Sequence, residues 1–457
     1  MKHVKTQPGA AVSVLGAARS GLTVARLLER KGYRVFVSEA APQTQKRAAW
    51  QQLSELGIEA EFGGHTARVL QADFLVVSPG ISPELPLLKE ARRRGLPAYG
   101  ELEVASWFCP GPLIAVTGTN GKSTTTAWLG EMFQQAGRKH VVAGNIGWPL
   151  ADCVFEIDAE TTAVLEVSSY QLQLTDTFRP GIAVLLNVTP DHLERHGTLQ
   201  HYAQTKLKLC RNQSPDHFVV FNAADPLLAG RLATPEVRAR RVPFHSERPL
   251  SPGCGVQKGR LVFNHESRTV ELVEVSRLAL PGRHNLENAL AAAAAALLAG
   301  LPESAVRQAL THFNGLEHRL EFVRELDGVR YINDSKATNL DALLAALNSF
   351  RQPVVLIAGG QDKGDDVRRI AHTVAARVKQ LVLFGESAPR FETHFSNVVP
   401  CRSVRDLAEA VHAAHASARA GDVVLLSPGC ASFDQFRDFE ARGRRFKQLV
   451  HQLRSKP

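Results

Sequence analysis

A glycine turn that carries one lysine and several hydroxyl side chains is the strongest chemical signal in the sequence. It follows an apolar run, Leu113 to Val116, that predicts a buried parallel strand, and it leads into apolar residues spaced like one face of a helix. Such a turn can hold phosphates with its N–H groups and its lysine, and it leaves a hydroxyl for Mg²⁺. The residues predicted to hold ATP or a close relative are Gly118, Thr119, Asn120, Gly121, Lys122, Ser123 and Thr124.

This turn is shorter than the common nucleotide-binding pattern, which places four residues between its first glycine and the Gly-Lys pair. Only Thr119 and Asn120 separate Gly118 from Gly121. A plain strand–helix turn with a surface lysine is the alternative. Phosphate binding is favoured because strand, turn, lysine and hydroxyls all fall in the required order.

Carboxylate and imidazole side chains follow two other predicted strands. Glu166 ends the apolar run from Ala163 to Leu165, at the carboxyl end of a predicted central strand, where ligands of open α/β sheets bind. Burying a carboxylate is costly unless it meets a cation, and Mg²⁺ held against nucleotide phosphates would supply one. Asp191 and His192 follow the next predicted strand and occupy a similar position. A paired structural glutamate and a structural histidine are the alternatives.

A second glycine turn, Gly16 to Gly21, follows the predicted strand Val12 to Leu15. It resembles the dinucleotide-binding fingerprint, but Ala18 stands where a second glycine should let the backbone approach a pyrophosphate. Glu39 ends the second predicted strand, where an acid that binds a ribose is expected. A nucleoside diphosphate therefore fits better than NAD, and a plain strand–helix turn remains the alternative.

Strands that alternate with helices along the chain predict an α/β protein with parallel, doubly wound sheets. The 457 residues are too many for one core, so we expect three domains. The expected domains are a Rossmann-like domain at 1–110, a central P-loop ATPase-like domain at 111–315 and a C-terminal Rossmann-like domain at 316–457. Residues 240–280 are rich in Gly, Pro and β-forming residues and predict an antiparallel, β-rich appendage to the central domain. The alanine-rich run from Ala289 to Ala299 predicts a buried helix.

The amino-acid composition limits the classes of protein to which this chain can belong. Hydrophobic residues make up 44% and charged residues 22%, as in ordinary globular proteins. The net charge of +9 includes short basic clusters, Arg92 to Arg94 and Arg442 to Lys447, which we interpret as solvated surface because aromatic residues do not interleave with them in a nucleic-acid pattern. The six cysteines form no zinc or redox motif, and the N-terminus has no signal-peptide pattern. We expect a cytoplasmic protein that acts as a monomer, without nucleic-acid or membrane partners.

The sequence resembles the Mur ligases over nearly its whole length. The resemblance rests on the segments Thr117 to Ser123, Gly144 to Gly147, Leu165 to Leu172, Asn187 to His192 and Gly315 to Arg319. Two further segments, Asn333 to Asn339 and Ser427 to Phe436, resemble the members that add D-glutamate. Members that add meso-diaminopimelate, L-alanine or a dipeptide look different there.

The resemblance implies a ligase reaction. The γ-phosphoryl group of ATP would pass to the carboxylate of UDP-N-acetylmuramoyl-L-alanine, and the amine of D-glutamate would attack the acyl phosphate. The implied catalytic residues are Lys122, Glu166, His192 and Lys206, and the implied ligands of two Mg²⁺ ions are Ser123, Glu166, His192 and Lys206.

Lys206 has this role only by resemblance. Taken alone, it is a helix-surface lysine, and the resemblance makes it the lysine that reacts with CO₂ to form a carbamate. A carbamate carries negative charge and oxygen atoms that Mg²⁺ accepts, whereas an ammonium group repels the ion. Lys208, two residues further on, is expected on another face of the helix.

The resemblance also assigns residues to substrates. The nucleotide contacts are Asn288, Arg319 and Asp334. The candidates for the UDP-linked substrate are Ser38, Glu39, Ser78 and, at its muramoyl portion, Asn145. The candidates for D-glutamate are Thr338, Lys363, Ser432 and Phe433, and further substrate contacts are expected at Ser168, Lys336 and Phe439. Phe433, Phe436 and Phe439 also lie at helical spacing, so a core position for Phe433 is an equal alternative.

Three other classes of protein stay open. A folylpolyglutamate synthetase-like ligase would share the phosphate turn and the chemistry. A nucleotide-dependent binding module would hydrolyse ATP without an amino acid. An NAD-linked oxidoreductase would bind nicotinamide in the first domain.

Overall fold

The structure, a computed structural model, describes residues 8–313, 315–362, 364 and 366–455. The chain divides into two compact units, residues 1–313 and 314–457. Both are α/β units in which helices alternate with largely parallel strands, as predicted. Within the described residues, no helix is long and apolar enough to cross a membrane.

The first sheet is parallel, with the strand order β3–β2–β1–β4–β5. Its strands are β1 (Ala11–Leu15), β2 (Arg34–Glu39), β3 (Glu59–Phe62), β4 (Phe74–Val77) and β5 (Ala98–Gly100). Its helices are α1 (Arg19–Arg30), α2 (Arg47–Glu55), α3 (Pro86–Arg93) and α4 (Glu101–Trp107). The chain moves to one side of β1 and then to the other, so the turn after β1 lies at the switch point where such sheets bind ligands.

A second, larger sheet in the same unit has the order β14–β13–β12–β11–β10–β9–β6–β8–β7. Its strands are β6 (Leu113–Thr117), β7 (His140–Gly144), β8 (Thr162–Glu166), β9 (Ile182–Leu185), β10 (Phe218–Asn222), β11 (Arg240–His245), β12 (Gly253–Gln257), β13 (Arg260–His265) and β14 (Arg268–Glu274). Its helices are α5 (Lys122–Gln135), α6 (Leu150–Cys153), α7 (Ser169–Gln173), α8 (Leu193–His196), α9 (Leu199–Arg211), α10 (Pro226–Leu232), α11 (Arg283–Leu298) and α12 (Glu303–His312).

The predicted β-rich appendage is an extension of this sheet. Strands β12, β13 and β14 pair antiparallel, as expected, but β11 pairs parallel with β10 and β12 pairs parallel with β11. The alanine-rich run lies in α11, and its residues from Ala289 to Ala296 are fully buried. The small alanine side chains let this helix pack closely against the sheet and against α5.

The C-terminal unit contains the sheet β15–β16–β20–β17–β18–β19, parallel except for the edge strand β15. Its strands are β15 (Glu321–Leu326), β16 (Val329–Asn333), β17 (Val354–Gly359), β18 (Val378–Phe384), β19 (Cys401–Ser403) and β20 (Val423–Leu426). Its helices are α13 (Leu340–Asn348), α14 (Ala371–Arg377), α15 (Ala388–Phe395), α16 (Leu407–Ser417) and α17 (Phe439–Gln452). Every residue of β17 and β20 is buried, which is typical of central strands in a parallel sheet.

Candidate active site

The predicted phosphate turn joins β6 to α5 in the middle of the large sheet. Gly121 directly precedes the helix with φ of +85°, a conformation that favours glycine. A Cβ at Gly121 would overlap Asn288 Oδ1, and that oxygen also accepts a hydrogen bond from Thr125 Oγ1 at 3.2 Å. Asn288, predicted to contact the nucleotide, therefore lies against the turn although it belongs to α11.

Two lysines meet at one carbonyl of this turn. Lys122 Nζ donates to Gly118 O at 3.1 Å and to Thr119 O at 2.9 Å, while Lys206 Nζ donates to Gly118 O at 2.7 Å. The turn thus presents two amine groups beside the N-terminus of α5. The N–H groups of the turn and the side chain of Lys122 suit an anionic ligand such as a triphosphate.

Lys206 is a buried residue with a strongly perturbed amine. It is only 1% exposed, because it shares the inward face of α9 with Tyr202 and Leu209. Burial, aided by the charge of Lys122 and opposed by Asp191, lowers the pKa of Lys206 to about 6. A neutral amine of this kind is a nucleophile, so its chemistry fits carbamate formation.

Lys208 differs from Lys206 although it lies on the same helix. Its Nζ donates to Gln173 O at 2.6 Å, at the C-terminus of α7 and away from the phosphate turn. The expectation that these two lysines point to different faces of the helix is confirmed. The interpretation of Lys206 as a surface lysine, based on its position alone, is wrong.

Glu166 ends β8 directly beside the phosphate turn and is 2% exposed. Its Oε1 accepts a hydrogen bond from Asn145 Nδ2 at 2.7 Å, and its carbonyl accepts one from Asn145 N at 2.9 Å. Its Oε2 is buried without a hydrogen-bond partner among the described residues. An unpartnered carboxylate oxygen is costly to bury, and a cation would satisfy it.

His192 lies directly before α8, in the connection between β9 and α9. Its backbone adopts φ of +53°, and its Nδ1 is 3.2 Å from the hydroxyl of Tyr170. Its Nε2 is 3.4 Å from Asp191 Oδ2. Tyr170 had no role in the sequence interpretation, although it belongs to one of the segments that carry the family resemblance.

The predicted magnesium ligands are a mixed set of oxygen and nitrogen groups. Among the residues with described positions, no three His, Cys, Asp or Glu side chains gather around a space of metal size. A hydroxyl, one carboxylate and a carbamate oxygen are nevertheless donors that Mg²⁺ accepts. The buried, unpartnered Glu166 Oε2 is the feature of this structure that fits such an ion.

Arg195 was missed from the sequence and connects two parts of the first unit. Its Nη2 donates to Ile81 O at 2.8 Å and to Pro79 O at 3.2 Å, in the loop that follows β4. Its guanidinium also lies 4.7 Å from the centre of the Tyr170 ring. The loop next to Ser78 is thereby fixed to the residues around His192. The sequence could have pointed to Arg195 through its position three residues after His192, within what the structure shows to be α8.

Two of the four candidates for binding the UDP-linked substrate, Ser38 and Ser78, have different surroundings. Ser38 is fully buried, and its hydroxyl donates to Glu61 Oε1 at 2.6 Å. Ser78 Oγ is buried without a hydrogen-bond partner in the part of the chain that the structure describes, and a Cβ at Gly16 would lie only 2.9 Å from it. Ser78 therefore has a free hydrogen-bonding group beside the first glycine turn, whereas the hydroxyl of Ser38 is already used within the protein.

Glu39 is bound to the first glycine turn itself. Its Oε2 accepts a hydrogen bond from Ala17 N at 2.7 Å, and its Oε1 accepts one from Ala41 N at 2.9 Å. Burial opposes ionisation, but these hydrogen bonds outweigh it and hold the pKa of Glu39 below its usual value. A carboxylate thus occupies one N–H group that could otherwise face a phosphate.

In the C-terminal unit, Asp334 lies at the carboxyl end of β16. Its Oδ2 accepts a hydrogen bond from Ser427 Oγ at 2.8 Å, and its Oδ1 accepts one from Leu320 N at 3.1 Å. Burial raises the pKa of Asp334 to about 7, although these hydrogen bonds and the nearby charge of Arg319 act in the opposite direction. Two residues predicted to contact the nucleotide, Arg319 and Asp334, are therefore neighbours.

Arg442 joins the two segments that resemble the D-glutamate-adding members. It is fully buried, and its guanidinium donates to Ser335 O at 2.9 Å and to the carbonyls of Cys430 and Ala431 at 3.2 Å. The interpretation of the cluster Arg442 to Lys447 as solvated surface is thus wrong for its first residue. Carbonyls from distant parts of the chain satisfy this guanidinium, and sequence spacing cannot reveal them.

The other candidates for substrate contact have varied positions. Phe433 is 67% exposed, so it is not a core residue, and Ser432 is buried. Phe439 begins α17 and its carbonyl accepts a hydrogen bond from Ser335 Oγ, while Lys336 Nζ lies 6.0 Å from the centre of the Phe439 ring.

Three further candidates lie elsewhere. Thr338 N donates to Lys336 O within the segment Asn333 to Asn339. In the first unit, Ser168 caps the N-terminus of α7. Lys363 lies outside the described residues.

The fold and the site together define a class of enzyme. A phosphate turn with two lysines, next to a buried carboxylate with one oxygen unpaired among the described residues, is suited to ATP-dependent group transfer. The chain matches three family models, described as the Mur ligase MurD-like N-terminal domain (residues 10–100), the Mur ligase middle domain (116–296) and the Mur ligase glutamate ligase domain (318–430). The chain belongs to the Mur ligase family, whose members use ATP and Mg²⁺ to form amide bonds in peptidoglycan synthesis.

Individual relatives show which Mur ligases this chain is similar to. The chain is 44% identical to the UDP-N-acetylmuramoylalanine--D-glutamate ligase of Salinibacter ruber, over 96% of this chain and 97% of the relative. It is 45% identical to the enzyme of the same name from Pelotomaculum thermopropionicum, over 97% and 98% of the two chains. The solved structure of UDP-N-acetylmuramate-alanine ligase MurC from Thermotoga maritima has the same fold, with a TM-score of 0.55, 20% identity and coverage of 97% and 99%.

Proposed function

We propose that this protein joins D-glutamate to UDP-N-acetylmuramoyl-L-alanine at the cost of one ATP, releasing ADP and phosphate. The observation that carries this proposal is the identity of 44–45%, over nearly the full chain, to relatives that bear the name of this ligase. The same relatives favour it over a folylpolyglutamate synthetase-like ligase. Both substrates are small and water-soluble, so the proposal places the reaction in the cytoplasm, on a monomer without nucleic-acid or membrane partners.

The reaction needs an activated carboxylate, because a free carboxylate is a poor electrophile for an amine. Transfer of the γ-phosphoryl group to the carboxylate of the UDP-linked substrate gives an acyl phosphate. The amine of D-glutamate attacks its carbonyl carbon, phosphate leaves, and an amide remains. In-line placement and neutralisation of charge supply most of the catalysis in such transfers.

The proposed roles follow from the positions of the residues. Lys122 and the turn from Gly118 to Thr124 hold the phosphates, with Asn288 beside them. Ser123, Glu166, His192 and a carbamate on Lys206 would hold two Mg²⁺ ions, which supply neutralisation of the phosphate charge. Asn145 orients Glu166 through its 2.7 Å hydrogen bond. The carbamate is supported by the burial of Lys206 and by the low pKa of its amine.

The proposed roles in the C-terminal unit concern the nucleotide and the amino acid. Arg319 and Asp334 contact the nucleotide. Thr338, Lys363, Ser432 and Phe433 hold D-glutamate, and Lys336 and Phe439 complete this region. Phe433 is 67% exposed, so its ring is accessible to a ligand.

Phosphate release tests the proposal directly. Purified protein is given ATP, Mg²⁺ and UDP-N-acetylmuramoyl-L-alanine, with D-glutamate, L-glutamate or meso-diaminopimelate in separate reactions. We expect phosphate release with D-glutamate and at most a few per cent of that rate with the other two. ATP hydrolysis that ignores the amino acid would instead identify a binding module, and activity on a folate substrate would identify the other ligase class.

A further inference from the structure

Tyr170 connects the two segments that contain the predicted magnesium ligands Glu166 and His192. It is the second residue of α7, the helix that directly follows the segment after β8, where Glu166 lies. Its hydroxyl oxygen lies 3.2 Å from His192 Nδ1 and 3.4 Å from Glu194 Oε1, both of which follow β9. A side chain that comes shortly after one predicted ligand in the chain therefore contacts the other.

The ring of Tyr170 is held in place from its other side. The guanidinium carbon of Arg195 lies 4.7 Å from the ring centre, a favourable contact between a cation and an aromatic face. Arg195 in turn donates to Gln173 Oε1 at 2.9 Å and to Ile81 O at 2.8 Å. Because the guanidinium is fixed by these bonds, the phenol has a defined position beside the imidazole.

The neighbours of the hydroxyl determine the direction of its hydrogen bonds. The carboxylate of Glu194 can only accept, so the Tyr170 hydroxyl donates to it. Burial and the charge of Glu194 raise the pKa of Tyr170, which keeps this proton on the phenol. Since its own proton is used, the phenol oxygen accepts from His192, whose neutral ring then carries its proton on Nδ1 and a lone pair on Nε2.

The Nε2 side of the imidazole suits a cation. Asp191 Oδ2 lies 3.4 Å from His192 Nε2, and Asp191 Oδ1 accepts a hydrogen bond from His192 N at 3.0 Å. His192 also has a left-handed backbone, with φ of +53°, which costs free energy for a residue with a Cβ. The backbone, the carboxylate and the phenol thus act together on the orientation of one ring.

We propose that Tyr170 is a positioning residue for His192. The hydrogen bonds from Nδ1 to the phenol, and from the phenol to Glu194, fix the tautomer and the orientation of the imidazole, so that its Nε2 lone pair is available to Mg²⁺. Loss of such an outer partner commonly weakens metal binding or activity by about 10–100-fold. This inference rests on the proposed function, because that function gives His192 its ion.

NMR of the imidazole nitrogens tests the hydrogen bonds without metal or turnover. In the metal-free protein, the nitrogen-15 shifts of His192 should show a proton on Nδ1, with His192→Asn used to assign the signals. Tyr170→Phe removes only the hydroxyl and should move the proton population towards Nε2. Glu194→Ala should do the same, because it frees the phenol to donate to Nδ1.

Tyr33→Phe is the matched control for Tyr170→Phe. It also removes one hydroxyl, but Tyr33 packs against Phe74 in the core that includes β1 and β4. It should leave the tautomer of His192 unchanged. Nitrogen shifts of His192 that are the same in the wild type, Tyr170→Phe and Glu194→Ala would overturn the proposal.

The Mg²⁺ requirement of phosphate release is the second test. Tyr170→Phe should raise the Mg²⁺ concentration for the half-maximal rate about tenfold, while the rate at saturating Mg²⁺ stays within threefold of the wild type. Tyr33→Phe should keep the wild-type requirement. An active Tyr170→Phe enzyme with the wild-type Mg²⁺ requirement overturns the proposal and leaves the proposed function intact. A protein without ligase activity, in which the tautomer of His192 still depends on Tyr170, overturns the proposed function and supports the hydrogen bonds.

Discussion

The first unit contains two glycine turns with the same local architecture, one contacted by a carboxylate side chain and the other by two lysine side chains. Each turn follows a central parallel strand and precedes a helix, the first between β1 and α1 and the second between β6 and α5. In the first, the carboxylate of Glu39 accepts a hydrogen bond from Ala17 N. In the second, Lys122 and Lys206 both donate to Gly118 O.

This difference shows that a glycine turn alone does not determine which ligand is bound. The second turn adds the side chain of Lys122 to its N–H groups and suits a triphosphate whose charge is concentrated at the point of reaction. The first turn already contains the carboxylate of Glu39, which opposes a second anion at Ala17 N. We infer that the second turn serves chemistry and the first serves attachment of the substrate.

The largest expected effect comes from the second turn. Lys206→Arg cannot form a carbamate, and it replaces a neutral amine by a permanent cation where Mg²⁺ is needed. We expect phosphate release to fall about 100-fold or more, as for loss of a group that holds a catalytic metal. The measurement is the rate of phosphate release with saturating substrates.

Lys208→Arg is the matched control for Lys206→Arg. It makes the same substitution two residues away, at a side chain that donates to Gln173 O instead of the phosphate turn. Its rate should stay within threefold of the wild type. Equal rates in the two variants would contradict the assigned role of Lys206 and make the two lysines equivalent.

Alanine at one glycine of each turn should separate the two functions. Gly121 has φ of +85° and Gly16 has φ of +93°, so alanine at either position strains the backbone by about 1–2 kcal/mol. Gly121→Ala would also displace Asn288 and should raise the KM for ATP roughly tenfold, whereas Gly16→Ala would crowd Ser78 and should raise the KM for the UDP-linked substrate instead. If both variants affected the same substrate, the proposed division between the turns would be wrong.

The sequence predicted the elements that position these turns, because each strand is an apolar run that ends at a glycine or a polar residue. It also placed Glu166 correctly at the end of β8. The burial of Lys206 could have been inferred as well. Tyr202, Lys206 and Leu209 are spaced four and three residues apart, which is the pattern of one helix face.

Other features depend on contacts between distant parts of the chain. Glu39 reaches Ala17 because β1 and β2 are neighbours, with Leu15 opposite Ser38. The sequence suggested a ribose contact for this acid and gave no sign that the turn itself would bind it. Arg442 likewise needs carbonyls from residues 335, 430 and 431, which only the folded C-terminal unit brings together.

The smallest expected effect concerns Glu39 and depends on pH. The folded state lowers the pKa of this carboxyl, so its ionised form contributes stability at neutral pH, and that contribution is lost as the pH falls below the ordinary value of 4.5. Glu39→Gln should therefore lower the free energy of unfolding by about 1–2 kcal/mol at pH 7, the range for hydrogen bonds to a charged group. The difference between the two proteins should shrink in acid.

Urea denaturation at pH 7 and at pH 4 measures this difference, with Glu55→Gln as the control. Glu55 is an exposed glutamate on α2, so its substitution should change stability by less than about 0.5 kcal/mol at either pH. If Glu39→Gln destabilised the protein equally at both pH values, its carboxylate charge would not be what holds the first turn. The contrast with the lysine-bearing turn would then lose its electrostatic basis, because packing around Glu39 would account for the effect.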